Sequence, residues 1–549
     1  MVIVVAPGPA LACPAVARHG MNSRHYLHIL PAFSSSAHVT PLASRTNNIA
    51  GRNRRPACAP AAGTPADLSS ITCLAHHGHP NSDGPGTMTR HSFATTTLLL
   101  ALAAGMTACS DNDGRPDIPP SNLTVISQAA PEGAPGEMPY LELPVIMDQA
   151  QPRDVRVSYE TAPDSAEEGS DYLYGVGEVL IPAGELGATI QLELLGDAEE
   201  EAAETFLVRY SVRGNATALG EVATATIAND DTACDAPFQL TDNPWRVFGA
   251  DPLNYAHRGG VIDFPENTLY AYAEVAAAGA DVLEMDVYQT LDNELVILHD
   301  LDVDRTTNGS GLVSERTLAE LRQLDAAYWF VPGEGTPHDR SAGDYPFRGI
   351  ASGEVPPPPG YSAADFRIPT LEEALRRFPH QLINVELKPD LDGTGNYEAQ
   401  VAGLLQRYGR QSDLIAASFV DEAANNFKAV APCVHTSVPL DQGSLLVLGS
   451  QGDGIIPPVP EHVAFQVPPD TIQINASQLP PGFFLEVVTE DFVGDAHNAN
   501  LAVQVWTINT CEEMLRMMEL GVDAIMTDRP LLLEKLLNTP QEQRSCDPD

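Results

Sequence analysis

Histidine and charged residues recur at the ends of successive apolar segments between residues 255 and 311. The segment NYA is followed by His257 and Arg258, VLEMDV contains Glu284 and Asp286, and ELVIL is followed by His299. A (β/α)8 barrel brings such residues together, because its βα loops all open on the carboxyl-terminal face. The order therefore predicts an α/β barrel of the TIM type with a reactive site at that face.

Glu284 and Asp286 lie two residues apart within an apolar segment. On a β-strand, side chains at this spacing point to the same face. Two carboxylates among Val, Leu and Met are costly to bury unless a cation or another partner offsets their desolvation. A hard divalent cation does this, since it prefers oxygen ligands. The pattern predicts a metal site. Taken alone, however, Glu-x-Asp is also typical of a solvated strand edge, and His-Arg is also typical of a surface turn.

Three further segments complete the set of polar strand ends. Glu386 and Lys388 alternate onto one face of LINVELK, while Trp506 and Asp528 end the segments AVQVW and AIMTD. A cation together with Arg and Lys would neutralise a phosphodiester, and histidines move protons near neutral pH. The combination predicts phosphodiester hydrolysis. Trp506 would provide an apolar wall for the glycerol or alcohol part of the substrate, or would only pack against its neighbours.

The motifs HRG, PENT, E-x-D, HD, RTTNG, VELK, VWTIN and TDRP resemble those of the glycerophosphodiester phosphodiesterase family over residues 250–538. The resemblance implies a TIM barrel that uses one divalent cation, calcium or magnesium, to hydrolyse glycerophosphodiesters to sn-glycerol 3-phosphate and an alcohol. It leaves open which histidine is the acid, and whether water or the glycerol 2-hydroxyl attacks. It assigns metal binding to Glu284, Asp286 and Glu386. It assigns acid–base catalysis to His257 and His299, and phosphate binding to Arg258 and Lys388.

Two other functions compete with this interpretation. The barrel also resembles lysophospholipase D and sphingomyelinase D relatives, whose substrates keep a lipid chain, and a wide apolar groove beside the metal would favour them. The other alternative is a calcium-dependent adhesion protein with an inactive barrel. Against it, every expected catalytic position is filled.

The segment 324–368 is rich in Gly, Pro and aromatic residues and is longer than an ordinary βα connection. Such a segment is either a functional loop over the site or a surface loop that packs on itself. In the first case, Trp329, Tyr345 and Phe347 would shape substrate selection.

The segment that begins at Met88 predicts export. It has an early Arg, an apolar run and small residues before Cys109, as bacterial signal peptides do. Residues 88–108 resemble a lipoprotein signal, so Cys109 would be lipidated, residues 109–121 would form a tether, and the protein would be anchored in the bacterial envelope. Plain cleavage or an uncleaved anchor are the alternatives. Residues 1–87 are interpreted as an over-extended gene start or a disordered leader.

Residues 122–232 contain short alternating segments separated by turn residues, the pattern of an antiparallel sandwich. Their order resembles the Calx-β family, which implies an immunoglobulin-like β-sandwich that binds calcium or mediates adhesion. Calcium takes six to eight oxygen ligands, and the alternative is a solvated acidic rim. The resemblance places the candidate calcium ligands at Glu132, Asp164, Asp197, Glu204, Asp230 and Asp231.

The length of 549 residues accommodates this sandwich and a barrel at 245–540, and the formal net charge is −44. So strong an acidic excess disfavours nucleic acid and anionic membranes as partners. Glycerophosphodiesters and cations remain the expected partners.

The chain has eight cysteines, of which three lie in the leader and Cys109 is the lipidation candidate. The other four form an even number, which predicts disulfides in an oxidising compartment. Cys234 and Cys546 bracket the barrel, while Cys433 and Cys511 lie within it. The preferred pairing of the three possible ones therefore joins Cys234 to Cys546 and Cys433 to Cys511. Reduced buried thiols are the alternative.

Overall fold

The computed structural model describes residues 118–231, 233–234, 236–238, 243–388, 397–450, 461–470 and 484–546. The predicted leader, the export signal and Cys109 lie outside these residues. The described residues belong to one compact unit of the chain. None of their helices is both long enough and apolar enough to cross a bilayer.

Two sheets form a sandwich from residues 121 to 228. One sheet has the strand order β6-β3-β1-β8 and the other β2-β9-β7-β4-β5. The strands are β1 (Ser121–Val125), β2 (Gln128–Pro131), β3 (Tyr140–Met147), β4 (Val155–Pro163), β5 (Val176–Ile181), β6 (Gly187–Glu193), β7 (Glu204–Arg213), β8 (Ala216–Ala218) and β9 (Val222–Ala228).

Alternating apolar residues hold the two sheets together. Leu141 and Leu143 of β3 are fully buried, and they belong to the same core as Val157 of β4 and Phe206 of β7 in the opposite sheet. The immunoglobulin-like sandwich is thereby confirmed. One detail differs, because the segment LTVISQ begins in β1 and ends in β2, and these strands lie in different sheets. Each of the two pairs in parallel, β1 with β8 and β2 with β9.

The second domain contains alternating strands and helices. Its strands are β10 (Leu253–Ala256), β11 (Val282–Gln289), β12 (Leu295–Ile297), β13 (Leu382–Leu387), β14 (Leu414–Ala417), β15 (His435–Thr436), β16 (Ala464–Val467), β17 (Ala502–Val505) and β18 (Ala524–Thr527). Its helices are α1 (Leu269–Ala278), α2 (Leu318–Leu321), α3 (Leu371–Arg377), α4 (Tyr397–Arg407), α5 (Asp421–Val430), α6 (Leu440–Ser450), α7 (Glu490–Asn498), α8 (Cys511–Leu520) and α9 (Pro530–Leu537).

The strands of this domain form a parallel barrel. The order around it is β15-β14-β13-β11-β10-β18-β17-β16, and β12 pairs antiparallel with β11 outside this path. A parallel bridge between Ser437 and Ala464 joins the first strand of this order to the last. The predicted (β/α)8 barrel is confirmed. All its strand carboxyl ends lie on one face, where the candidate residues were expected.

The disulfide pairing predicted from the sequence is wrong. The bonds join Cys234 to Cys433 and Cys511 to Cys546, with Cα–Cα distances of 5.1 and 5.6 Å. The segment entering the barrel packs beside α5, where the backbone N–H of Phe238 donates to the carbonyl of Pro432. The carboxyl-terminal segment instead turns back onto α8. Cys234 and Cys546, which bracket the barrel in the sequence, are therefore bonded to other cysteines.

The segment 324–368 packs on itself and against α1 rather than over the site. Tyr345 is buried, Phe347 contacts Tyr270 with ring centroids 5.2 Å apart, and Trp329 stacks on His338 at 4.2 Å. None of these aromatic residues lines the cleft that holds the candidate catalytic residues. The structure thus favours the surface loop that packs on itself over a loop that covers the site, and the role of Trp329, Tyr345 and Phe347 in substrate selection stays a prediction.

Candidate active site

Arg258 reaches the centre of the barrel mouth through an unusual backbone conformation. Directly after β10, its φ of 54° lies in the left-handed region, which costs energy for a non-glycine residue. Its backbone N–H donates to Oε2 of Glu284 at 2.9 Å, and its Nε lies 3.3 Å from Oδ2 of Asp286. Gly259 follows at φ 81°, where a Cβ would lie 2.9 Å from Cβ of Ala271. The HRG motif thus encodes a turn that aims Arg258 at two carboxylates.

Three carboxylates converge beside this turn. Asp286 of β11 pairs in register with Glu386 of β13, and one ligand oxygen from each of Glu284, Asp286 and Glu386 lies within 4.8 Å of the others. Burial and the neighbouring Asp286 raise the pKa of Glu284 well above its usual range, and burial also raises the pKa of Glu386. Burial opposes ionisation of Asp286 as well, but Lys388 and Arg258 outweigh it and lower that pKa.

These carboxylates fit a divalent cation. Oδ1 of Asp286 is buried and accepts no hydrogen bond of good geometry, although Nζ of Lys388 is 2.9 Å away. Nζ of Lys388 also lies 2.7 Å from Oε1 of Glu386. Carboxylate oxygens are the donors that calcium and magnesium prefer, and a bound cation would relieve the repulsion that raises the pKa of Glu284.

His257 forms a hydrogen-bonded pair with Asp528. The distance from Nδ1 of His257 to Oδ1 of Asp528 is 2.6 Å, and Nδ2 of Asn509 donates to Oδ2 of Asp528 at 2.6 Å. An Nδ1–H that donates to the carboxylate leaves Nε2 as the nitrogen available to a substrate. Burial and the charge of Arg258 lower the pKa of His257, against the opposing effect of Asp528. His257 is therefore neutral near pH 7 and able to accept a proton.

His299 forms a second pair, with Asp300. Nδ1 of His299 lies 2.7 Å from Oδ1 of Asp300, and Nε of Arg305 donates to Oδ2 of Asp300 at 2.6 Å. Arg305 also donates through Nη1 and Nη2 to both oxygens of the buried Glu266, at 2.6 and 2.7 Å. Burial opposes ionisation of Asp300, but its bonds with His299 and Arg305 prevail and lower its pKa.

Sequence reasoning missed these supporting residues as functional positions. Asp300, Arg305, Glu266 and Asn509 all lie inside motifs already noted, HD, RTTNG, PENT and VWTIN. Their role depends on contacts in the fold. Asp300 pairs with the adjacent His299, Arg305 joins Asp300 to Glu266, and Asn509 donates to Asp528.

A cleft of about 940 Å³ contains the predicted catalytic residues. His257, Arg258, His299 and Lys388 line it together with Trp506, whose ring lies edge-on to Phe419 with centroids 5.4 Å apart. Trp506 therefore provides an apolar wall of the cleft, as one of the two sequence interpretations expected.

Four of the six predicted calcium ligands belong to two separate groups of carboxylates in the sandwich. Glu132, Asp197 and Asp231 form one group, and Glu204 forms another with Asp171 and Glu201, which sequence reasoning missed. Burial, followed by the charge of Asp197, raises the pKa of Glu132 to about 7. Burial, followed by a hydrogen bond with Asp171, raises the pKa of Glu204 to about 7.

The other two predicted calcium ligands accept hydrogen bonds from the protein itself. Oδ2 of Asp164 accepts from the hydroxyl of Thr205 at 2.7 Å. Oδ1 of Asp230 accepts from the backbone N–H of Gly133 at 3.2 Å. Neither belongs to the two acidic groups found among the described residues.

Comparison with known proteins agrees with both domains. Residues 137–231 match the Calx-beta domain. A glycerophosphodiester phosphodiesterase of Caldanaerobacter subterraneus is 31% identical over 288 residues, 52% of this chain and 96% of that protein. A lysophospholipase D of Rattus norvegicus is 26% identical over 298 residues, 52% of this chain and 86% of that protein.

Among solved structures, similarity extends to an Oleispira antarctica phosphodiesterase in complex with the product sn-glycerol-3-phosphate. Its identity is 24% and its TM-score 0.39, with 53% of this chain and 98% of that chain covered. Residues 257–532 match the model of the glycerophosphoryl diester phosphodiesterase family. This match spans half of the chain and includes both His–Asp pairs and the three clustered carboxylates. The chain therefore belongs to the glycerophosphoryl diester phosphodiesterase family.

Proposed function

We propose that this chain hydrolyses glycerophosphodiesters to sn-glycerol 3-phosphate and an alcohol at the carboxyl-terminal face of the barrel. The observation that carries the proposal is the meeting of three carboxylates, two cationic side chains and two His–Asp pairs around one cleft. The relative from Caldanaerobacter subterraneus bears the name of this activity and is matched over 96% of its length.

Charge neutralisation comes first, because a phosphodiester is anionic. Arg258 and Lys388 line the cleft and bind phosphoryl oxygens, where their charges also offset the negative charge that develops during attack. A divalent cation held by Glu284, Asp286 and Glu386 supplies Lewis-acid polarisation of the phosphoryl group when it is bound. We propose calcium or magnesium as this ion.

Proton transfer then falls to the two histidines. His257, kept neutral by burial and Arg258, accepts the proton of the nucleophile, which is water or the glycerol 2-hydroxyl. The bond between phosphorus and the alcohol oxygen breaks, and His299 donates a proton to the departing alkoxide. Asp528 and Asp300 hold the two rings through Nδ1, so that each presents Nε2 to the reacting atoms.

We further propose that the protein is exported and lipid-anchored through Cys109 in the bacterial envelope. Support comes from the signal-like pattern of residues 88–108 and from the disulfides Cys234–Cys433 and Cys511–Cys546, which persist in oxidising compartments. We also propose calcium at the sandwich, on the group formed by Glu132, Asp197 and Asp231.

An adhesion protein with an inactive barrel is the less supported alternative. An inactive barrel has no need of two oriented His–Asp pairs beside a carboxylate cluster, and both pairs have short distances of 2.6 and 2.7 Å.

The test follows release of sn-glycerol 3-phosphate from glycerophosphocholine and glycerophosphoethanolamine by the purified chain, His257→Ala and Glu284→Ala. Leu531→Ala is the control, because this side chain is 40% exposed and lies outside the cleft. The proposal predicts release by the parent and the control only. Equal release by parent and His257→Ala would exclude the assigned role of this histidine, and no release by the parent would exclude the function.

A further inference from the structure

Tyr272 of α1 is a fully buried residue whose hydroxyl group is linked to the carboxylate cluster. This hydroxyl donates to Oδ1 of Asn267 at 2.7 Å. Nδ2 of Asn267 in turn donates to Oδ2 of Asp286 at 3.3 Å. The two hydrogen bonds form a chain that runs from the apolar core to one of the three clustered carboxylates. Neither Tyr272 nor Asn267 has a part in the phosphate contacts or proton transfers of the proposed function.

The backbone of Asn267 is fixed by its position just before α1. Its φ of 56° lies in the left-handed region, which asparagine tolerates better than most residues. Its backbone N–H donates to the carbonyl of Arg258 at 2.8 Å. The next residue, Thr268, caps α1, since its Oγ1 accepts from the backbone N–H of Ala271 at 3.1 Å. What remains to be fixed at Asn267 is the orientation of its side-chain amide.

The hydroxyl of Tyr272 determines that orientation. An amide can present either its oxygen or its NH2 group to a neighbour. Only the NH2 group suits Asp286, because an amide oxygen beside the carboxylate would bring two acceptors together. A hydroxyl that donates to Oδ1 of Asn267 stabilises the orientation in which Nδ2 faces Asp286. Asn267 is 2% exposed, so without this hydroxyl its Oδ1 would be a buried acceptor that has lost its protein donor, which is costly.

The ring of Tyr272 is itself fixed by packing. It lies edge-on to Phe378 with ring centroids 6.3 Å apart, and it belongs to the core that α1 shares with β11 and β13. A Cβ on Gly259 would lie 3.3 Å from Cδ1 of Tyr272, so the ring also packs against the HRG turn. These contacts hold the hydroxyl in one place, beside Asn267.

The two oxygens of Asp286 have different surroundings. Oδ2 lies 3.3 Å from Nδ2 of Asn267 and 3.3 Å from Nε of Arg258. Oδ1 accepts no hydrogen bond of good geometry from the described residues, although Nζ of Lys388 is 2.9 Å away. Two nitrogens thus approach Oδ2, and Oδ1 is the oxygen that a cation can use.

We propose that Tyr272 is a positioning residue of the cation site, which acts through Asn267 to hold Oδ2 of Asp286 and leave Oδ1 for the cation. The inference rests on the proposed function, because it takes Glu284, Asp286 and Glu386 as the residues that hold the cation. Hydrogen bonds to a ligating carboxylate orient it, and loss of such a partner typically lowers metal affinity about 10- to 100-fold. Tyr272 acts one residue further from the cation, so we expect an effect of about three- to tenfold from its hydroxyl, below that range.

The experiment measures cation binding without hydrolysis. The purified, metal-free full chain is titrated with calcium chloride and, separately, with magnesium chloride in an isothermal calorimeter. Binding that is lost in Glu284→Gln is assigned to the barrel, which separates it from calcium bound by the sandwich. Tyr272→Phe removes the hydroxyl and keeps the ring in the core. Its Kd for the cation at the barrel should rise about three- to tenfold.

Tyr408→Phe is the matched control. Tyr408 is 4% exposed and belongs to the same core as Tyr272. Its hydroxyl donates to Oε1 of Glu372 at 2.9 Å, and neither residue lines the cleft. The control loses a comparable hydrogen bond of the core and should keep the parental Kd. Thermal unfolding verifies that both variants are folded.

A double-mutant cycle tests whether Tyr272 acts through Asn267. Asn267→Gly removes the amide, and glycine adopts the φ of 56° at this position without strain. Asn267→Gly alone should raise Kd by about tenfold or more. In that background, Tyr272→Phe should change Kd by less than about twofold, because the hydroxyl has lost the group on which it acts.

The outcomes separate this inference from the proposed function. An unchanged Kd in Tyr272→Phe would overturn the positioning role, and so would a rise of the same size in the Asn267→Gly background. Failure of the parent to bind either cation would overturn the cation site and this inference with it. A parent that binds the cation but releases no sn-glycerol 3-phosphate from glycerophosphoethanolamine would overturn the proposed hydrolysis and leave the positioning role standing.

Discussion

The pair formed by Asp528 and His257 provides the sharpest mutational test of the mechanism. Asp528→Asn keeps the size of the side chain and removes its charge. In the parent protein, Asp528 accepts hydrogen bonds from Nδ1 of His257 and Nδ2 of Asn509, both at 2.6 Å. An asparagine has one acceptor oxygen. If that oxygen keeps its bond with Asn509, the new NH2 group donates to His257, whose proton then moves to Nε2.

The magnitude follows from what His257 loses. A hydrogen bond to a charged group contributes about 1.5–3 kcal/mol, and at 1.36 kcal/mol for each factor of ten this is about 10- to 150-fold in rate. The wrong tautomer adds to that loss, and in serine proteases the equivalent substitution lowers kcat about 10⁴-fold. We therefore expect Asp528→Asn to reduce kcat/KM by about 10² to 10⁴.

The assay is kcat/KM for glycerophosphoethanolamine as a function of pH, with thermal unfolding to verify the fold. Asp528 raises the pKa of His257 against the larger effects of burial and Arg258. Loss of its charge lowers that pKa further, so the acid limb of the residual activity should move to lower pH. A folded variant with kcat/KM within about threefold of the parent and an unchanged acid limb would refute the reasoning.

Three further predictions concern other charged groups. Glu284→Gln should raise the melting temperature of metal-free protein, because it removes a buried carboxyl group beside Asp286. It should also abolish the stabilisation by a cation bound at the barrel, which is about 2.7 kcal/mol at a hundredfold excess over Kd. Burial lowers the pKa of Lys428 to about 7 from about 10.4 in the unfolded chain. Because the unfolded state then binds the extra proton, the unfolding free energy should fall as pH falls from about 10 to 7 and level off below. Lys428→Met should remove this dependence and stabilise the protein at pH 7 by up to about 4 kcal/mol, less the loss of the hydrogen bond from Nζ to the carbonyl of Val434. Urea unfolding across that pH range would measure the change. In a Glu284→Gln background, Asp231→Asn should remove the rise in melting temperature that calcium at the sandwich provides, whereas Asp164→Asn should keep that rise.

The barrel and its catalytic residues were predictable because their signals are local. Glu284 and Asp286 share a face through the two-residue period of a strand, and the barrel places every strand end on one face. His257 and Lys388 follow the same rule. The sequence therefore placed these residues together at the barrel mouth without knowledge of their distances.

What the sequence could not provide depends on contacts between distant segments. The pairing of Cys234 with Cys433 depends on where the entering segment packs beside α5. In the segment 324–368, Phe347 packs against Tyr270 of α1. The aromatic composition of this segment is equally compatible with a loop that covers the site. Val447 and Leu448 of the cleft come from α6, whose sequence LDQGSLLVLGS contains two glycines and lacks the regular polar spacing of a surface helix.

Hydrolysis by this chain is proposed to depend on a metal held by Glu284, Asp286 and Glu386. The most direct measurement is the rate of sn-glycerol 3-phosphate release from glycerophosphoethanolamine by protein dialysed against EDTA, before and after calcium or magnesium is restored. We expect no release after dialysis and recovery of the rate with at least one of these cations. Full activity of the dialysed protein, verified to be free of metal by elemental analysis, would contradict it.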